Sequence, residues 1–362
     1  MVLHLLSNTV VLGSFQPMGA LLVATNKDEL LTYDSILSAG ALHTPQILQR
    51  SGIGPASLLQ RAGIKVVSDL PGVGYNFHDH AGPSFTTTIA NQPVPNSDMI
   101  TTDEAYRNQS IKEFYSKPAR GPYTQALGNL AVYLSLQNLT SSHKEIISSI
   151  REQISSGKAA SYLPAGADKT VVKGYLAQLE VLAKSFENPS QPVFEAPFQG
   201  PPAATFLLKP LSRGSVLLDP NNVDGEPLIT YGTFENPVDV DIVASFVPLV
   251  RKVYSTPALQ RLGVVETDPG PKVQDIEDIK TWARNTTSAS WWHPCCTAGM
   301  GPKDHGGVVG TDLKVYGVEG LRVADMSIMP FLPGAHTSST CYAIGEKVSF
   351  HRAHSCKRVK CL

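Results

Sequence analysis

The sequence predicts a mixed architecture, an α/β part joined to an α+β part. Three observations carry this. Residues 33–54 read as a strand, a tight glycine turn and a helix. Between residues 82 and 290 the character changes to amphipathic helices separated by polar, proline-containing loops. Within that stretch residues 206–218 read as two strands around a turn, and residues 238–254 as one long helix.

Composition narrows the function classes. At 362 residues the chain has room for two domains or one large one. A hydrophobic content of 42% and a charged content of 17% are those of an ordinary globular protein. The formal net charge of -1 offers no electrostatic reason to expect nucleic acid or an anionic membrane. No apolar run approaches the roughly 18 residues that a membrane span requires. Residues 1–15 are apolar but lack a positive n-region and a small-residue cleavage site, so strands at 3–6 and 9–12 are expected rather than a signal peptide. The five cysteines form a vicinal pair, a singleton and two in the tail, which is no disulfide framework. Sequons at Asn108, Asn138 and Asn285 are compatible with a secreted glycoprotein but not far from chance, and the compartment stays open.

In order, strands are expected at 10–12, 20–24 and 33–38. A helix then follows with Thr44 as N-cap and Pro45 at its first position, ended by Gly52 and Gly54. A second short helix, 55–62, closes at Gly63. The loop from Pro71 to His80 holds an acid and a histidine, Asp79 and His80. Two ligands are too few for a metal site, so this reads as a structural polar network. Helices at 142–156 and 169–186 carry one-sided apolar stripes (Ile146, Ile147, Ile150; Val171, Tyr175, Leu179, Leu182) that core packing explains. The long helix at 238–254 shows a similar stripe through Ile242, Val243, Phe246 and Val250.

The chemistry concentrates near the C-terminus. Trp291-Trp292-His293-Pro294-Cys295-Cys296-Thr297 is followed by a strand-like run, Leu321-Arg322-Val323-Ala324, that ends in Asp325, and then by Ala335-His336-Thr337 at the head of a helix. Histidine titrates near neutrality, which suits it to moving protons, although a single histidine is more often structural. Together with residues 40–54 and the Pro71–His80 loop, this stretch resembles the glucose-methanol-choline (GMC) oxidoreductases, flavoenzymes that oxidise alcohols. The family has a histidine followed by Pro-x-Gly-Thr, a Gly-Leu-Arg-Val-x-Asp strand and a second histidine or asparagine before the last helix. His293, Asp325 and His336 fall on those positions.

The resemblance implies a partial FAD-binding, Rossmann-like domain at 1–83 and an antiparallel-sheet substrate-binding domain at 84–290. It further implies a C-terminal FAD-domain segment at 291–348 and a divergent tail at 349–362. It makes His293 the base and His336 a second catalytic group on the same alcohol oxygen, with hydride passing to flavin N5. Val11, Trp292, Ala324, Asp325 and Thr337 would contact FAD, and oxygen or a quinone would accept the electrons. No metal is expected; His351, His354, Cys356 and Cys361 in the tail lack zinc-ligand spacing. His305 and the tail histidines read as surface residues. No Gly-x-Gly-x-x-Gly stands in the sequence, so the chain is expected to match the C-terminal two-thirds of a family member. Cys296 departs from the family's usual glycine, and Gly310 from its usual Asp or Ser. A flavin-containing lyase or cyclase, or an inactive fragment, are the alternative functions.

Overall fold

The computed structural model describes residues 35–96, 98–125, 130–197 and 203–356, with 350–356 as backbone only. The strands expected before residue 33, Val11 and the tail side chains from His351 onward lie outside the described residues.

The elements that position the site begin with β1 (Ser35–Leu37), α1 (Gly40–Arg50), α2 (Ala56–Arg61) and β2 (Tyr75–Phe77). The middle supplies β3 (Ala131–Ser135), α3 (His143–Ser155), α4 (Lys169–Phe186), β4 (Pro192–Pro197) and β5 (Phe206–Leu207). After these come β6 (Gly214–Leu217), β7 (Leu228–Thr230), α5 (Pro237–Ala244) and α6 (Phe246–Tyr254). Near the C-terminus stand β8 (Leu321–Val323) and α7 (Thr337–Cys356).

Two hydrophobic cores organise this mixed α/β fold. One joins Leu37, Ile47, Leu48, Leu70 and Val73 to Cys295, Val309, Val323, Ile328 and Val348, so segments far apart in sequence share it. The other is built within the middle, from Leu136, Ile150, Leu179, Phe186, Phe194 and Phe246 among others. In the first, β1 runs parallel to β8 with Ile36 opposite Arg322. In the second, β3, β4 and β5 form an antiparallel sheet. A further antiparallel sheet is ordered β7-β6-β2.

Several expectations hold closely. The amphipathic stripe of α4 is buried through Val171, Tyr175, Leu179 and Leu182, and the Asp168 side chain caps its start by accepting from the Thr170 N–H. Gly52 and Gly63 both take positive φ after their helices. Gly74 is required sterically: its φ is 85° and a Cβ there would lie 2.2 Å from the Val216 carbonyl oxygen. That close approach lets the buried Gln49 amide bind Val73, Val216 and Leu218, tying α1 to β6.

Two expectations are corrected. Helix α1 starts at Gly40 rather than at Thr44, and Pro45 lies inside it. A proline there gives the Ala41 carbonyl no N–H partner. The Thr297 hydroxyl donates to that carbonyl at 2.6 Å instead. The cap is Asp325, whose Oδ2 accepts from the Gly40 N–H (2.9 Å) and the Thr44 hydroxyl (2.6 Å).

The single helix at 238–254 is two, α5 and α6, meeting at Ser245. Pro248 cannot donate to Ala244, and its ring crowds that carbonyl. The two strands expected within 206–218 are present and pair with different partners, β5 with β4 and β6 with β2 and β7. Between them the Leu211 and Ser212 N–H groups donate to buried Asp239, and Arg213 donates back to the carbonyls of 210–212, so side chains satisfy this turn. The last helix runs from Thr337 to Cys356.

Candidate active site

His293 and His336, far apart in sequence, stand with ring centroids 5.0 Å apart. A third histidine, His80, closes the cluster. Its ring is perpendicular to that of His293, with 2.9 Å between the two Nδ1 atoms. Asp79 explains why these strands meet. Its carboxylate accepts from the Ser290 hydroxyl (2.6 Å) and the backbone N–H groups of Trp291 and His293. An antiparallel bridge between His78 and Cys295 continues the contact. The expected polar network around Asp79 and His80 is present, and it orients His293.

His336 precedes α7 by one residue, and its Nε2 lies 2.7 Å from Oε1 of Glu195. Glu195 sits on β4 with no exposed surface. A buried carboxyl facing an imidazole fixes the ring's orientation and tautomer.

Proton positions follow from the partners. His80 Nε2 faces the Pro333 carbonyl oxygen at 3.1 Å, which can only accept, so Nε2 carries the proton. Burial, then the neighbouring His293, hold the His80 pKa down to about 3, so the ring is neutral near pH 7 and its Nδ1 is an acceptor. His293 must donate from Nδ1 to it, which leaves His293 Nε2 with a free lone pair. Burial and then the charge of His336 bring the His293 pKa to about 4, keeping that lone pair available. The arrangement can take one proton at a defined atom.

The remaining expected residues divide. Trp292, at φ 57°, is 82% exposed beside His293, while Trp291 packs edge-on against Phe206. Thr337 opens α7 next to His336. Ala324 is held by β1, its N–H donating to the Leu37 carbonyl. The Asp325 carboxylate accepts from the Gly40 N–H, the Thr44 hydroxyl and the Ser327 N–H, capping both α1 and the short 3-10 turn Met326–Ile328. His305 is partly buried rather than a free surface residue, and lines a cavity of about 220 Å³ with Tyr75, Gln178, Arg213 and Met300. None of the three clustered histidines lines that cavity.

Residues 19–82 and 210–345 match the N-terminal and C-terminal halves described for GMC oxidoreductases. The chain belongs to the GMC oxidoreductase family. A solved fungal aryl-alcohol oxidase superposes with a TM-score of 0.85 at 46% identity, over 89% of this chain and 55% of that one. An FAD-dependent oxidoreductase from Chaetomium thermophilum gives a TM-score of 0.85 at 35% identity, over 95% of this chain and 60% of that one. Dehydrogenase xptC of Emericella nidulans is 32% identical over 87% of this chain and 50% of its own length. This GMC chain therefore spans about half the length of the curated relatives it matches.

Two site residues escaped the sequence reading. His80 was legible only as part of a polar loop. Glu195 carried one signal, an acid between Phe194 and Ala196 in an apolar strand, which becomes meaningful once β4 is seen behind His336.

Proposed function

We propose that this GMC chain acts in FAD-dependent oxidation of the CH–OH group of an aromatic alcohol, with His293 as the base. The observation that supports this best is the His80–His293 pairing, which leaves Nε2 of His293 unprotonated and facing no other described partner. FAD, when bound, supplies the hydride acceptor. The exposed Trp292, His336 and the first turn of α7 at Thr337 suit the ring end of a flavin, the positive end of the helix favouring an anion beside it. No Gly-x-Gly-x-x-Gly turn in the sequence suits the pyrophosphate.

His293 Nε2 takes the hydroxyl proton, and His336, held by Glu195, positions the oxygen. Phe206, Trp291 and Trp292 give the site an aromatic wall that suits an aryl substrate. An external acceptor, oxygen or a quinone, completes the cycle.

The test is turnover of aryl alcohols by FAD-supplemented protein with a quinone dye. His293→Ala is expected to lower kcat by about 10²- to 10⁴-fold while flavin absorbance stays bound. Turnover unchanged in that variant would remove His293 from the role. Substrate consumed with no dye reduced would favour a lyase or cyclase instead.

A further inference from the structure

Behind the histidine cluster lies a second group of reactive side chains that the proposed reaction does not use. His78, Cys295 and Cys296 are buried at 3%, 0% and 0% exposure. One ring nitrogen and two sulfurs lie within 4.8 Å of one another. The backbone explains the convergence. His78 and Cys295 face each other across an antiparallel bridge, where side chains of opposed residues lie side by side. Cys296 would ordinarily point to the opposite face, but its φ of 79° breaks the alternation and turns it toward the same side. A non-glycine residue in that region is strained, so something must hold it there. In the structure a disulfide joins the two cysteines.

We propose that, once reduced, Cys295, Cys296 and His78 form a binding site for one soft monovalent cation, Cu(I). The ligand chemistry fits. Thiolates and an imidazole select soft metals, and three buried ligands suit the low coordination number of Cu(I) better than the four ligands of structural zinc. The His78 tautomer is already set: Nδ1 donates to the Asn76 carbonyl oxygen at 2.7 Å, which leaves the Nε2 lone pair for a metal. Charge also balances. Two thiolates and Cu(I) sum to one negative charge. The buried Arg213, whose field reaches His78, has only neutral hydrogen-bond acceptors: the carbonyls of 210–212, Asn76 and Gln178. The Asp239 carboxylate already acts on that guanidinium as a counter-charge, and a metal-bound bis-thiolate adds a second negative group within reach of its field.

The steps are simple. A dithiol reductant delivers two electrons and two protons to the S–S bond, becoming a disulfide itself and leaving two thiols. Cu(I) then forms two Cu–S bonds and one Cu–N bond, and both thiol protons leave to solvent. The oxidised and metal-bound states exclude each other, so the site loads only under reducing conditions.

The inference stands independently of the proposed oxidoreductase role. Its test uses the full chain carrying Cys341→Ser, Cys356→Ser and Cys361→Ser, reduced with a dithiol that is then removed under argon. The protein is titrated into the coloured Cu(I) complex of bathocuproine disulfonate. It is expected to withdraw one equivalent of Cu(I) and to gain a thiolate-to-Cu(I) band in the near ultraviolet. His78→Gln should weaken retention at least tenfold. Cys296→Gly, which suits the φ of 79°, and Cys295→Ala should each abolish the band, with circular dichroism showing that the fold persists. A parent that withdraws no Cu(I), or a Cys296→Gly protein that still withdraws one equivalent with the same band, would overturn the proposal.

Discussion

At the scale of single residues, the His80–His293 contact determines what the site can do. The Pro333 carbonyl sets the proton of His80, and His80 sets that of His293. Replacing His80 by Phe removes this control. Turnover in the proposed reaction is expected to fall by about 10²- to 10⁴-fold with flavin retained, as when an orienting partner of a catalytic histidine is lost. The pH profile is a second readout. Both rings have depressed pKa values in the folded protein, about 3 for His80 and about 4 for His293. Their contribution to stability is therefore intact above the unfolded value of about 6.5 and is lost as pH falls toward 4. Thermal melts should show Tm falling through this window, with a shallower fall in the His80→Phe protein. The acid limb of kcat/KM should lie near pH 4 rather than near 6.5, and a limb at 6.5 would show that His293 is not held as described.

At the scale of elements, α1 shows what is and is not legible in a sequence. Its end was readable because glycine at the C-terminus of a helix acts locally. Its start was not, because the cap is Asp325, 285 residues away from Gly40, and the hydroxyl that replaces the lost Pro45 hydrogen bond comes from Thr297. Local rules made Pro45 a first-turn residue, and a tertiary contact made it an interior one. The same division runs through the rest. Helix α4 carries its own cap and stripe and was read to the residue. The strands at 206–218 take their partners from residues 75–77 and 192–197, which periodicity cannot reveal. In the site, His293 and His336 were visible through the family resemblance, whereas Glu195 belongs to the middle region where that resemblance is loose. The Thr297–Pro45 relation is testable by a cycle. Thr297→Val should cost about 1–3 kcal/mol in denaturant unfolding by orphaning the Ala41 carbonyl. Adding Pro45→Ala, which restores an N–H to that carbonyl, should recover much of the loss. No recovery would mean that the hydroxyl acts elsewhere.

At the scale of the whole molecule, one core is local to the middle of the chain, while the other is assembled from residues 37–73 and 295–348. The candidate site lies where they meet, with His293 and His336 from the split part and Glu195 from the middle. During synthesis this ordering has a consequence in time. The 37–73 segment leaves the ribosome before the residues that cover Ile47, Leu48 and Val73. At roughly 5–20 residues per second it waits tens of seconds for them. Apolar surface held open that long is a natural target for chaperones and proteases. Stalled nascent chains ending before residue 295 are expected to be cut within 40–73 under brief protease treatment and to resist cutting in α3 and α4. Equal resistance in both regions would mean that the early segment finds temporary cover of its own.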